Sequence, residues 1–195
     1  MKKPMSWIVL LGVVAILALW VVNVYNNMVE QEEVVEAAWS QVENQYQRRA
    51  DLVPNLVNTV KGYAQHEQET FVQAMEARAK ATQISIDPSN VTPEQLAQFQ
   101  AAQGELSQAL GRLLAVSERY PELKANENFL NLQSQLEGTE NRCTVARQQF
   151  NDVAKAYNVL VRRFPGNIVA MFFGFEKKPY FEADEDAKKA PKVEF

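Results

Sequence analysis

His66 is the single histidine of the 195-residue chain, and it stands directly before Glu67. A His-Glu pair opens the zinc-protease pattern H-E-x-x-H, in which two histidines one helical turn apart hold the metal and the glutamate activates water. Position 70 is Thr70, so the second ligand is missing and a multi-His metal site within one chain is excluded. The pair reads instead as a solvated helix face. Cys143 is the single cysteine, which rules out an internal disulfide. It falls on the apolar stripe of a helical repeat with no second His or basic partner, so it reads as a small core filler and not as a nucleophile. Asp184-Glu185-Asp186 lacks the spacing of a calcium loop and reads as part of a solvated tail. No catalytic, metal-binding or cofactor-binding residue is assigned. Without a nucleophile-base pair or a ligand set, the chain reads as non-enzymatic.

Two segments carry the chemistry of interaction. The first is Arg48-Arg49-Ala50-Asp51, followed closely by Pro54-Asn55. Proline removes one backbone donor, so a helix is expected to kink or split around residues 49–53, with Asp51 capping the new start and Asn55 bonding freed backbone groups. Arg48, Arg49, Asp51 and Asn55 then either pair within the fold or dock a partner chain. The second segment is IVAMFFGF, residues 168–175. It either closes the open end of a helical bundle or meets lipid or another subunit, with Phe172, Phe173 and Phe175 as anchors. Lys177 and Lys178 follow directly and suit anionic headgroups.

The elements that position these residues are helical. Residues 4–29 carry no charge, and residues 7–22 read WIVLLGVVAILALWVV. Taken over residues 5–24, the run is about 30 Å long as a helix, close to the hydrocarbon thickness of a bilayer. Trp7, Trp20 and Tyr25 stand near its ends, where amphipathic rings favour the headgroups. A cleaved signal peptide would share the basic start at Lys2 and Lys3. However, the apolar run is long, no small-x-small triplet follows it, and no cysteine stands at its exit to take a lipid. Residues 1–25 are therefore read as an uncleaved membrane anchor. Lys2 and Lys3 precede the span and Glu30, Glu32 and Glu33 follow it. Cytoplasmic flanks favour Lys and Arg, so this asymmetry places the short N-terminus inside and the rest of the chain on the periplasmic or outer side.

Past the anchor no strand alternation occurs. Phe129, Leu136, Cys143, Phe150, Tyr157 and Phe164 repeat every seven residues, with Leu132, Thr139, Ala146, Val153 and Leu160 between them, which predicts one long helix over residues 129–164. Leu96, Phe99, Leu106, Leu110, Leu113 and Tyr120 form a second stripe. Thr92-Pro93-Glu94-Gln95 writes its start as a capping box with Pro at the first helical position, and Pro121 marks its end. Gly104 and Gly111, seven apart on this helix, suggest close approach of a neighbouring backbone. Val35, Trp39, Val42 and Tyr46 make a third stripe, and Val53, Leu56, Val60, Tyr63, Ala64 and Phe71 a fourth. Residues 84–91 read as a loop, Pro165-Gly166-Asn167 as a turn, and the tail beyond residue 175 as extended and polar. The fold class is all-α: an N-terminal transmembrane helix (1–25), an antiparallel four-helix-like bundle (26–175) and a tail (176–195).

Several strings together resemble one family. They include Tyr25-Asn26, Ala38-Trp39, the run from Arg48 to Val57 (RRADLVPNLV), Val60-Lys61-Gly62-Tyr63-Ala64, Arg119-Tyr120-Pro121-Glu122-Leu123, Ala156-Tyr157-Asn158, Phe164-Pro165 and Tyr180-Phe181-Glu182. In this order, across nearly the whole chain, they resemble the LemA family of bacterial membrane-anchored proteins. The resemblance implies a transmembrane helix and a bundle of long helices, and it implies no biochemical activity. It also implies the opposite orientation, with the short N-terminus outside the cell. The net charge of −4, from 20 basic and 24 acidic residues, offers no field for nucleic acid. The resulting expectation is a self-associating scaffold or adaptor in the bacterial cytoplasmic membrane. Its partners would be the lipid bilayer, further copies of itself and a membrane protein of unspecified identity, with no cofactor. A regulatory subunit or sensor for a membrane protease or envelope-stress system is the alternative.

Overall fold

The computed structural model describes residues 3–182 of the chain, with side chains from Trp7 onward. Helix α1 (Lys3–Lys61) is followed by α2 (Gln68–Gln83), α3 (Pro93–Ala115), the short α4 (Pro121–Lys124), α5 (Glu127–Arg162) and α6 (Gly166–Phe173). No strand occurs among the described residues. The membrane-proximal part of α1 stands free, and α1 from Met28 onward packs with α2, α3 and α5 as an antiparallel bundle.

The apolar stripes explain the packing. Val35, Trp39, Val42 and Tyr46 of α1 close on Cys143, Ala146, Phe150, Ala154 and Tyr157 of α5. Further along α1, Val53, Leu56 and Val60 close on Phe71 and Ala74 of α2 and on Leu106 and Leu113 of α3. The start of α3 written in the sequence forms. The Thr92 hydroxyl accepts the Gln95 N–H while the Gln95 side chain accepts the Thr92 N–H, and Asn126 caps α5 by accepting the Phe129 N–H. α3 ends ahead of Pro121, passing through a 3-10 turn over Val116–Arg119. In the loop before α3, the exposed Asp87 carboxylate accepts the Ser89 N–H, which holds its pKa below the usual value.

Four expectations are corrected. First, Pro54 does not split α1, and Asp51 caps nothing: it lies mid-helix and accepts from Gln47. Proline deprives the carbonyl four residues back of its donor. That carbonyl belongs to Ala50, and Arg78 of α2 donates its Nε–H to it at 2.9 Å. With the orphaned acceptor satisfied from outside, the helix runs on. Second, the break falls at residues 62–67 instead, so the fourth stripe is shared between α1 and α2, with exposed Tyr63 in the turn. Third, a Cβ built at Gly104 or Gly111 meets nothing within 4 Å, so neither glycine marks a close approach. Fourth, the chain after α6 is not simply a solvated tail. Gly174, at φ 80°, ends α6 in the left-handed conformation that glycine tolerates, and residues 175–182 then turn back along α5 as a strap.

The strap is held by side-chain amides that stand in for a neighbouring strand. Asn158 accepts the Lys178 N–H and donates to its carbonyl, and Asn151 does the same for Phe181. Gln100 of α3 and Arg147 of α5 both donate to the Glu182 carbonyl. Phe181 enters the core, stacked on Trp39 at 5.9 Å and edge-on to Phe150 at 5.5 Å. Lys178 is buried as well. Its ammonium meets Glu32 of α1 at 2.7 Å and donates to the Ser89 carbonyl at 2.6 Å, so it is not available to headgroups, whereas Lys177 remains exposed.

Candidate functional site

Arg49 is the centre of the bundle's polar chemistry. It sits one turn beyond Tyr46 on the inward face of α1, and its side chain is only 2% exposed. Nη1 donates to Ser107 Oγ at 2.7 Å and to Glu140 Oε2 at 2.6 Å. Nη2 donates to the Gln103 carbonyl at 3.0 Å and to Gln103 Oε1 at 2.7 Å. Gln103 in turn donates to the Ala81 carbonyl, so one guanidinium ties α1 to α2, α3 and α5. A planar fork with five donors suits this role better than a lysine point charge. The docking reading of Arg49 is therefore replaced by the internal one. Arg48, Asp51 and Asn55 lie on the outer side of α1, exposed, and share no common site with Arg49.

Above Arg49 a groove of about 1050 Å³ opens between α3 and α5. Tyr46 and Arg49 contribute to its lining from α1, Gly104 and Ser107 from α3, Glu140 and Arg147 from α5, and the strap closes one end with Tyr180 and Glu182. The groove displays hydrogen-bonding groups, and the titratable groups near it are set for stability. Burial pushes the Tyr46 hydroxyl up to about 12 and the Cys143 thiol up to about 11, against the smaller opposing pull of nearby arginines. A nucleophilic thiol needs the reverse shift. Tyr157, whose hydroxyl reaches Glu32, is raised by burial first and by that carboxylate second.

At the far end from the anchor, His66 lies exposed in the turn between α1 and α2, not on a helix. Its neighbour Glu67 pairs with Arg119 at 2.9 Å, and Tyr63 accepts a hydrogen bond from Asn126, so this end is closed by polar contacts between turns. Among the described residues no three His, Cys, Asp or Glu side chains are grouped to hold a metal ion. Asp184, Glu185 and Asp186 lie outside the described residues.

The second segment is divided by the structure. In α6, Val169 and Ala170 turn into the bundle beside α1, while Ile168, Met171 and Phe172 face outward. Phe173 and Phe175 pack on Tyr25 of α1, with ring centroids 4.8 and 5.6 Å away. Closing the bundle and presenting an apolar face are both realised, by opposite sides of one short helix. Sequence reasoning missed Arg78, Gln103, Asn151 and Asn158. The one available signal was at Gln103, an amide at the stripe position between Phe99 and Leu106, where the repeat leads one to expect an aliphatic side chain.

Comparison with known proteins agrees with this architecture. The family model described as "LemA family" matches residues 38–195. The chain is 29% identical over 189 residues to "Magnetosome protein MamQ 2" of Paramagnetospirillum magneticum, covering 88% of this chain and 69% of that protein. "Magnetosome protein MamQ" of Magnetospirillum gryphiswaldense is 29% identical over 174 residues, covering 80% and 64% respectively. "Protein LemA" of Metamycoplasma hominis is 22% identical over 160 residues, covering 82% and 69%. Among the described residues one helix, near the N-terminus, is long and apolar enough to cross a membrane, and its apolar stretch is not buried by the protein. Together with the comparisons, this supports a membrane-associated protein. The chain belongs to the LemA family.

Proposed function

We propose that the chain is a single-pass, membrane-anchored helical scaffold that self-associates in the bacterial cytoplasmic membrane. The observation that carries this reading is α1 itself. The apolar run and the first helix of the bundle are one uninterrupted helix of 59 residues, so every copy presents its bundle in the same attitude to the bilayer. Confinement to a plane raises the effective concentration of identical surfaces, and a weak lateral contact then becomes populated. The polar interior is consistent with this role, since Arg49 and Lys178 are engaged in holding elements together.

Crosslinking of the full chain in native membranes tests the proposal. Products at multiples of the chain's own mass are expected. A single dominant foreign protein would favour a regulatory subunit instead, and a chain that stays monomeric in membranes and in mild detergent would remove the scaffold. The charge asymmetry around the span supports a bundle on the periplasmic side, in which case a periplasmic reporter fused after Phe195 should be active. Activity of a cytoplasmic reporter alone would reverse the orientation.

A further inference from the structure

From Ile168 to Phe173, α6 is apolar on all sides, and the protein covers only one of them. Its inner residues, Val169 and Ala170, are buried against α1 and α5. Its outer residues are not: Phe172 is 82% exposed, Met171 80% and Ile168 53%, and Phe164 just ahead of the helix is 76% exposed. A helix that is hydrophobic all round belongs in an apolar medium on every side. Where α6 sits says which medium this is. Gly166 lies against Met28 and Val24 of α1, and Phe173 packs on Tyr25. These α1 residues directly follow the apolar stretch, where a helix that crosses the bilayer emerges from the hydrocarbon layer.

We infer that α6 is an interfacial helix, lying on the bilayer beside the exit of α1 with Ile168, Met171 and Phe172 inserted at the boundary between headgroups and acyl chains. The inference rests on the reading of α1 as a membrane span. It does not depend on which side of the membrane carries the bundle, nor on self-association. The charges around α6 fit the same surface. Arg162 and Arg163 precede it and Lys177 follows it, all exposed, with Glu176 the single exposed acid in the flanking residues 174–178. Basic residues at the edge of an apolar interfacial face are drawn to anionic headgroups. A second copy is the other occupant such a face could take. Lipid is favoured because the patch is continuous with the lipid-facing surface of α1.

The test is a depth measurement on the full chain, reconstituted into phosphatidylethanolamine–phosphatidylglycerol vesicles. Nitroxide labels are placed one at a time by Phe172→Cys, Met171→Cys, Val13→Cys and Val145→Cys. Native Cys143 is buried and stays unlabelled in the folded chain. Accessibility to oxygen, which partitions into the hydrocarbon, is compared with accessibility to a water-soluble nickel chelate. Labels at 171 and 172 should resemble the one at 13, several-fold more open to oxygen than to nickel, while the label at 145 on the exposed side of α5 shows the reverse. If 13 is protected and 172 is as open to nickel as 145, the interfacial helix is overturned and the membrane span stands. If 13 is itself open to nickel, the span fails and the inference fails with it. If protection at 172 vanishes when the chain is diluted to one copy per lipid nanodisc, the occupant is a second copy and the lipid contact is refuted.

Discussion

The Arg49 guanidinium is held inside the bundle by four oxygens on two other helices, one of them from the Glu140 carboxylate. Removing the guanidinium takes the donor away from the buried Gln103 Oε1. Arg49→Ala is therefore expected to cost on the order of 3 kcal/mol, the scale at which a buried pair is broken. Glu140→Ala leaves that buried guanidinium without its carboxylate partner and should be destabilising on a similar scale, while Arg48→Ala, at the exposed neighbour, should stay within about 0.5 kcal/mol of the parent. Urea melts of residues 26–195 followed by far-UV circular dichroism would show the difference, and equal losses for Arg49→Ala and Arg48→Ala would contradict the inward role of Arg49. Cys143 makes a second test. Its thiol is held neutral by burial, with a pKa raised from 9.0 to about 11. A raised acid pKa contributes stability that is complete below the unfolded value and is lost as pH rises through the folded one. The urea midpoint should therefore fall between pH 9 and 11, and less so in Cys143→Ala. At pH 8 a thiol reagent should modify the folded protein far more slowly than the urea-unfolded chain.

Among the elements, α1 depends on a residue it does not contain. Arg78 supplies the donor that Pro54 cannot, at the Ala50 carbonyl. In a Pro54→Ala background that carbonyl regains an intrahelical partner, and the arginine bond becomes dispensable. Arg78→Ala should cost about 1 kcal/mol more in the native background than beside Pro54→Ala, a coupling that a double-mutant cycle reads directly. No coupling would mean that the helix tolerates Pro54 for another reason. The same case shows what the sequence conceals. The start of α3 and the stripe from Phe129 to Tyr157 are legible because their causes lie within a few residues: a hydroxyl three positions from an amide, or an apolar side chain every turn. The passage through Pro54 is illegible because its cause lies 28 residues away on another helix. Which of its two readings Arg49 takes is illegible for the same reason. Its acceptors are 54 to 91 residues distant, and an arginine beside another arginine carries no sign of which of the two points inward. The segment 168–175 was recognisable as an apolar run, but its division into an inner and an outer face required the turn that lays it against Tyr25.

At the scale of the whole molecule, the strap joins what the helices leave apart. Phe181 completes a ring cluster with Trp39 of α1, Phe99 of α3 and Phe150 of α5. Phe181→Ala should therefore destabilise residues 26–195 by about 3 kcal/mol through the cavity it leaves, and free the strap for tryptic cleavage after Lys177, since Pro179 blocks the bond after Lys178. Tyr180→Ala, at an exposed neighbour, should stay within about 0.5 kcal/mol of the parent. Equal protease resistance of the two variants would show that the strap is held by its amide contacts alone.

Helix α1 has a mechanical consequence. From the exit of the apolar stretch at Val24 to its end at Lys61 it runs on for about 55 Å, at 1.5 Å per residue, without a hinge. Helices in bilayers change tilt when the hydrocarbon layer thins or thickens. A lean of about 10° at the membrane displaces the tip of such a mast by about 10 Å, by simple trigonometry on that length. With α6 lying on the bilayer as inferred above, the angle of the mast would be set by how deeply Ile168, Met171 and Phe172 sink beside it. The height and lean of the bundle's far end would then read out the thickness and surface of the bilayer below.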